Sequence, residues 1–208
     1  MKPSPTVHIV ACGIGNVRSV QRALERAGVV PKIANSPADL AGAEKVILPG
    51  VGAFGACAAK LRETGFASAL DEYVLGRRKP FLGICVGMQL LATRGIEFGE
   101  HAGLGYVPGD CVQIPLVSPA LRLPQVGWNA LEVDATCPIF AELGDDRTAY
   151  FVHSYHLEPT DPAAISASVQ YGVRVTAGVW RDNVFGVQFH PEKSQDVGLR
   201  VLRAFARL

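Results

Sequence analysis

The sequence predicts an α/β fold, a central mixed and mostly parallel sheet flanked by helices. Short apolar runs alternate with helix-patterned segments through the first half. Several of these runs end at glycine or at Pro-Gly. The second half is richer in β-branched residues, prolines and turns, and the chain closes on an amphipathic helix.

Residues 7–11 read as a first buried strand, followed by Gly13 and Gly15. Asn16 is placed to cap a helix over residues 17–27, stopped by Gly28. Strands follow at residues 29–34 and 45–48, the latter ended by Pro49-Gly50. Residues 53–62 and 66–75 have helical composition. Residues 80–84 form an apolar strand running into Cys85, with a helix over residues 86–92 behind it. In the second half, residues 115–124 read as a surface loop, and residues 178–184 as a hairpin with Arg181-Asp182-Asn183 as its loop. A strand from Val184 leads to His190, and residues 196–208 form the last helix. No linker or repeat interrupts the chain, so residues 1–208 are expected to make one domain.

The turn at Gly83-Ile84-Cys85-Val86-Gly87 places a thiol between strand and helix, with glycines relieving the crowding. A helix N-terminus favours thiolate over thiol, which makes Cys85 a candidate nucleophile; a small buried apolar residue is the other reading. Ligands of parallel sheets bind at the carboxyl ends of the strands. Cys85 and the Gly50-Val51-Gly52 loop both lie there and are expected to share one crevice. Near the other end stands Phe189-His190-Pro191-Glu192. In extended chain His190 and Glu192 leave on the same face, so the carboxylate can orient the imidazole; a polar turn closing a strand is the alternative. Cys, His and Glu are the parts of a thiol acyl-transfer triad.

These motifs resemble the class I, triad-type glutamine amidotransferases, which have a flavodoxin-like fold. Leu48-Pro49-Gly50-Val51-Gly52-Ala53-Phe54, Val126-Gly127-Trp128-Asn129 and Tyr150-Phe151-Val152-His153-Ser154-Tyr155 resemble the glutaminase subunits of imidazole glycerol phosphate synthase. The resemblance implies Cys85, His190 and Glu192 as catalytic residues and the backbone N–H groups of Val51 and Val86 as oxyanion donors. It implies glutamine contacts from Gly50, Gly52, Gln89 and the His153-Ser154-Tyr155 segment. For His153 and Tyr155 a half-buried strand end is an equal reading. The implied partner is a (β/α)8-barrel cyclase that takes the ammonia, with Asn16, Trp128 and Asn129 as candidate docking residues. Ala11-Cys12 and Pro124-Gln125 stand where the pattern has an acidic residue with an aromatic and Pro-His. A different triad amidotransferase, a stand-alone glutaminase and a non-catalytic binding module are the alternatives. A redox sensor built on Cys85 has no nearby resolving cysteine in sequence.

Composition removes other classes. Net charge is +1 without a long basic run, which speaks against nucleic acid and against a polybasic membrane anchor. Five widely spaced cysteines and five histidines form no Cys-x-x-Cys or helical His pair, so no metal and no cofactor are expected, and His8 reads as a core histidine. No apolar run reaches membrane-spanning length and the first residues lack a signal region, so the cytoplasm is the expected location.

Overall fold

A computed structural model describes residues 4–208. In chain order its first half comprises β1 (Thr6–Val10), α1 (Val17–Arg26), β2 (Val30–Ala34), β3 (Val46–Gly50), α2 (Phe54–Glu63), α3 (Phe66–Asp71), β4 (Phe81–Cys85) and α4 (Val86–Gln89). β3 and β4 are buried at every position, which is why they read as unbroken apolar runs: helices cover both faces of a parallel sheet. Asn16 caps α1, its Oδ1 accepting from the Ser19 N–H at 3.2 Å, and the helix buries Val20, Ala23 and Leu24 along one stripe.

The second half comprises β5 (Arg94–Gly95), β6 (His101–Ala102), β7 (Gly109–Gln113), β8 (Gln125–Ala130), β9 (Glu132–Val133), β10 (Thr148–His153), β11 (Tyr155–Pro159), β12 (Ile165–Tyr171), β13 (Val173–Arg181), β14 (Val184–Val187) and α5 (Gln195–Arg207). The main sheet has eight strands in the order β2-β1-β3-β4-β14-β13-β12-β9. The strands from β2 to β14 in that order run parallel; β13, β12 and β9 extend the sheet antiparallel. β14 thus returns from the far end of the chain to lie beside β4, with Val187 opposite Ile84. That pairing brings the segment leading to His190 alongside Cys85.

Besides the central sheet, β11-β7-β5-β6 and β10-β8 form two smaller sheets. Three expectations need correction. The hairpin loop is two residues, because Arg181 pairs with Val184 and Asp182 takes φ 54°, a conformation aspartate tolerates. The helix at residue 86 stops after one turn, where Leu91 and Ala92 donate to carbonyls three residues back rather than four. The expected helix over residues 66–75 is α3 followed by a wider π-helical turn, Glu72–Gly76, which turns Tyr73 inward so that its hydroxyl donates to Pro80 O at 3.1 Å. Among the described residues no helix is long and apolar enough to cross a membrane, and no cluster of three or more His, Cys, Asp or Glu could hold a metal ion. His8 is buried, as expected of a core histidine, but its Nδ1 finds no hydrogen-bond partner, so it is not the satisfied one expected.

Glycines set the spacing of β3, β4 and α4. A Cβ on Gly50 would lie 2.6 Å from Gly87 N, one on Gly83 would strike Gly87 O, and one on Gly87 would strike Leu48 O. All three contacts are with backbone, which cannot swing aside. Gly87→Ala is therefore expected to destabilise the chain by about 1–3 kcal/mol or more, seen as a lower Tm in thermal unfolding. Gly42→Ala, where an added methyl meets nothing within 4 Å, should leave Tm nearly unchanged.

Candidate active site

Cys85 ends β4 with φ 55° and ψ −115°. A non-glycine residue held there stores strain of about 1–3 kcal/mol, and the surrounding glycine packing maintains it. The strain lifts the side chain out of the strand alternation, at the head of α4. Val86 opens that helix, where the first N–H groups have no carbonyl in their own helix to bond. Cys85 and His190 line one crevice together with Val51, Gly52, Val86, Gln89, His153, Ser154 and Tyr155, all expected from sequence. Glu97, Pro124, Val152 and Lys193 complete it and were not expected.

His190 follows β14 and precedes a 3₁₀ turn, Pro191–Lys193. Glu192 reaches it because this turn folds the chain back, not because the two lie on one face of an extended strand. His190 Nδ1 donates to Glu192 Oε1 at 2.8 Å, and both side chains are almost wholly buried. That bond leaves Nε2 for Cys85. Burial pulls the His190 pKa down, but hydrogen bonding with Cys85 and with Glu192 outweighs it and pushes the value up to about 9. His190 therefore holds its proton at neutral pH, which suits a general acid opposite a sulfur nucleophile.

The main chain of His190 is fixed independently. Its N–H donates to Tyr150 O at 2.9 Å. The hydroxyl of Ser194, fully buried, donates to His190 O at 2.7 Å and accepts from the Tyr150 N–H at 2.9 Å. Ser194 thus clamps the histidine to β10. The only signal for it in sequence is a small hydroxyl four residues beyond His190.

Two expected roles change. Gly50 is buried in β3 and does not line the crevice; its lack of a side chain is needed for the approach of Gly87. Val51 lines the crevice, but its N–H donates to Ile14 O at 2.5 Å and its carbonyl accepts from Cys57 Sγ at 3.3 Å. In this conformation the Val51 amide is not free to receive an oxyanion. Of the docking candidates, Asn16 is exposed and Trp128 is 47% exposed beside Val126 at 60% on the outward face of β8. Asn129 is partly buried and accepts from Gln125 Nε2 at 3.0 Å.

Of the unexpected residues, Glu97 puts a carboxylate on the crevice wall, its Oε2 accepting the Phe54 N–H at 2.7 Å. It caps α2, whose own N-cap, Ala53, offers no side-chain acceptor. His153 is buried, its Nδ1 donating to Tyr155 O at 2.9 Å and its Nε2 without a partner. Burial pushes its pKa down to about 4, as it does that of His156.

Two predictions follow from this geometry. Ser194→Ala is expected to lower kcat by roughly tenfold with little change in KM, since loss of the hydrogen bond to His190 O costs about 1 kcal/mol and the Tyr150 N–H loses its acceptor. Steady-state kinetics would check it. As for stability, the unfolded chain binds protons at histidines with the ordinary value of 6.5, while folded His153 and His156 refuse them until about pH 4. Stability from these two is thus fully present above about pH 6.5 and falls as the pH drops toward 4. The thermal midpoint should fall over that window, and less steeply in His156→Asn.

Comparison with known proteins identifies the family. A family model described as glutamine amidotransferase class-I matches residues 8–207. The imidazole glycerol phosphate synthase subunit HisH of Syntrophotalea carbinolica is 45% identical, over 95% of this chain and 97% of its own. That of Rhodospirillum rubrum is 47% identical over 97% and 98%, and that of Ruegeria pomeroyi 48% over 92% and 93%. Among solved structures, PurLQS from Thermotoga maritima superposes with a TM-score of 0.76 at 23% identity, covering 99% of both chains. A structure described as glutamine amidotransferase gives 0.75 at 22% identity, over 97% of this chain and 99% of its own; at such identities the likeness concerns the fold. The chain belongs to the class I glutamine amidotransferases, in the family of HisH subunits of imidazole glycerol phosphate synthase.

Proposed function

We propose that Cys85, His190 and Glu192 carry out the glutamine hydrolysis of this family, and that the ammonia passes to a (β/α)8-barrel cyclase subunit. The observation that carries the reading is the His190 Nδ1–Glu192 Oε1 hydrogen bond, with Cys85 and His190 lining the same crevice. Cys85 Sγ attacks the side-chain carboxamide carbon of glutamine. The tetrahedral oxyanion collapses to a thioester as His190 gives its proton to the departing ammonia. Water, deprotonated by His190, then cleaves the thioester to glutamate. Glu192 keeps the ring in the tautomer that turns Nε2 toward Cys85.

Glutamine brings an ammonium and a carboxylate besides its amide. Glu97 supplies the crevice with negative charge and Lys193 with positive charge, and Ser154 and Tyr155 complete its wall. In this reading Glu97 takes the α-ammonium, while Gly52 and Gln89 line the entry to Cys85. The oxyanion needs donors in place; Val86 N–H is one and Val51 N–H the other. Val51 serves only after leaving Ile14 O, and one missing donor costs about two to three powers of ten in rate. The chain alone is therefore a slow glutaminase. Ile14 lies two residues from Asn16 on the docking side, so a partner seated there is placed to disturb the bond that holds Val51.

The test is glutamate release from glutamine by the purified chain, alone and with a barrel cyclase plus its ribonucleotide ligand. Strong stimulation by the liganded partner is expected, of the order of a hundredfold if one oxyanion donor is restored. Cys85→Ser should lose at least about a thousandfold in both settings. A Cys85→Ser protein of normal turnover would overturn the assignment of the nucleophile. Equal rates with and without the partner would overturn the coupling.

A further inference from the structure

Gln188 has no part in the triad, yet its side chain is fully buried against it. It stands between Val187 and Phe189, where the strand pattern calls for an apolar residue. Burying a primary amide costs free energy unless its groups are matched. The matching here fixes its orientation. Gln89 Nε2 gives one hydrogen to Tyr155 O at 2.8 Å and the other to Gln188 Oε1 at 3.2 Å. A main-chain carbonyl can only accept, so the Gln89 amide has one orientation, and through it so does that of Gln188. Gln188 Nε2 is thereby turned to Cys85 Sγ, at 3.9 Å. The Gln188 main chain is held as well, its N–H donating to Ala177 O at 2.9 Å.

We propose that Gln188 is a further catalytic residue, whose side-chain N–H donates to the sulfur of Cys85 and stabilises it as a thiolate. This rests on the reading of Cys85 as the nucleophile. A separation of 3.9 Å is long for a neutral thiol, and hydrogen bonds to an ionised acceptor are shorter and stronger. The contact therefore strengthens as the sulfur gains charge, and favours thiolate over thiol. Cys85 is buried, and a buried charge is costly unless it is matched, so a donor that faces the sulfur, Gln188 Nε2, matters to the charged form.

The experiment is the rate of Cys85 alkylation by iodoacetamide against pH in the full chain, read at that residue by mass spectrometry, beside steady-state kinetics. In Gln188→Met the alkylation midpoint should rise by about one to two pH units, and kcat should fall roughly ten- to hundredfold with KM little changed. A folded Gln188→Met protein with an unmoved midpoint overturns the proposal, because a residue that merely supports Gln89 would alter KM and leave the midpoint alone. If that variant does not fold, Gln188→Asn keeps the amide but withdraws it from the sulfur, and the same rise is expected. In the unsubstituted protein the Gln188 side-chain amide resonances should follow the Cys85 titration; resonances that ignore it would also overturn the proposal. Cys85→Ser separates the two claims. Its inactivity with an unmoved Gln188→Met midpoint removes only the role of Gln188, whereas full activity removes the nucleophile itself.

Discussion

The whole site hangs on the close approach of β3, β4 and α4, in which backbone meets backbone where side chains would normally intervene. Gly50, Gly83 and Gly87 make that approach possible. It holds Cys85 at a positive φ and ends the strand abruptly. Without it Cys85 would be one more buried cysteine of the core, as Cys12, Cys57, Cys111 and Cys137 are. The strained conformation is a reservoir of about 1–3 kcal/mol, tolerable only because a large buried sheet over-determines it. β14, lying parallel to β4, then aims His190 at the same point from a segment over a hundred residues away.

Environment separates histidines of one crevice. His153 is buried with a carbonyl partner and no negative charge, so desolvation dominates and it stays neutral. His190 is also buried, but Cys85 and Glu192 flank it, and the charged form wins. The same residue type thus provides a neutral ring and a protonated ring in one crevice. Such separation of titrations is how acid and base roles are assigned. The clamp by Ser194 adds geometry to electrostatics, since a proton donor must also stay where the leaving group departs.

The first half of the fold was legible because its strands are buried on both faces and its helices carry caps. Asn16 and Gly28 mark α1 as a reader of sequence expects, and Pro49-Gly50 ends β3. The second half was not, because β5, β6 and β9 are two residues long and exist only through their neighbours. Cys85, His190 and Glu192 were readable from local motifs. Glu97, Gln188 and Ser194 were not, since each acts through a contact that only tertiary structure creates. Gln188 did leave a trace, a polar residue in an apolar strand. The orientation of the Val51 amide left none, because a peptide plane between two glycines has no sequence signature.

In the proposed mechanism that amide is where resting and working arrangements differ. A net hydrogen bond such as Val51 N–H to Ile14 O contributes about 0.5–1.5 kcal/mol, whereas an oxyanion donor contributes about 2.7–4 kcal/mol in the transition state. Turning the peptide is therefore favourable once negative charge develops, but there is little reason for it to turn beforehand. Gly52, at φ 104°, gives the loop the latitude to do so, while Cys57 Sγ holds the following carbonyl. The His190 main chain is held by Ser194 and its ring by Glu192, and Cys85 is fixed by glycine packing. The loosest element of the site is thus one peptide, close to the loop through Asn16. In the proposed coupling, a motion of that one peptide next to the proposed docking face would let a partner govern turnover without disturbing Cys85, His190 and Glu192.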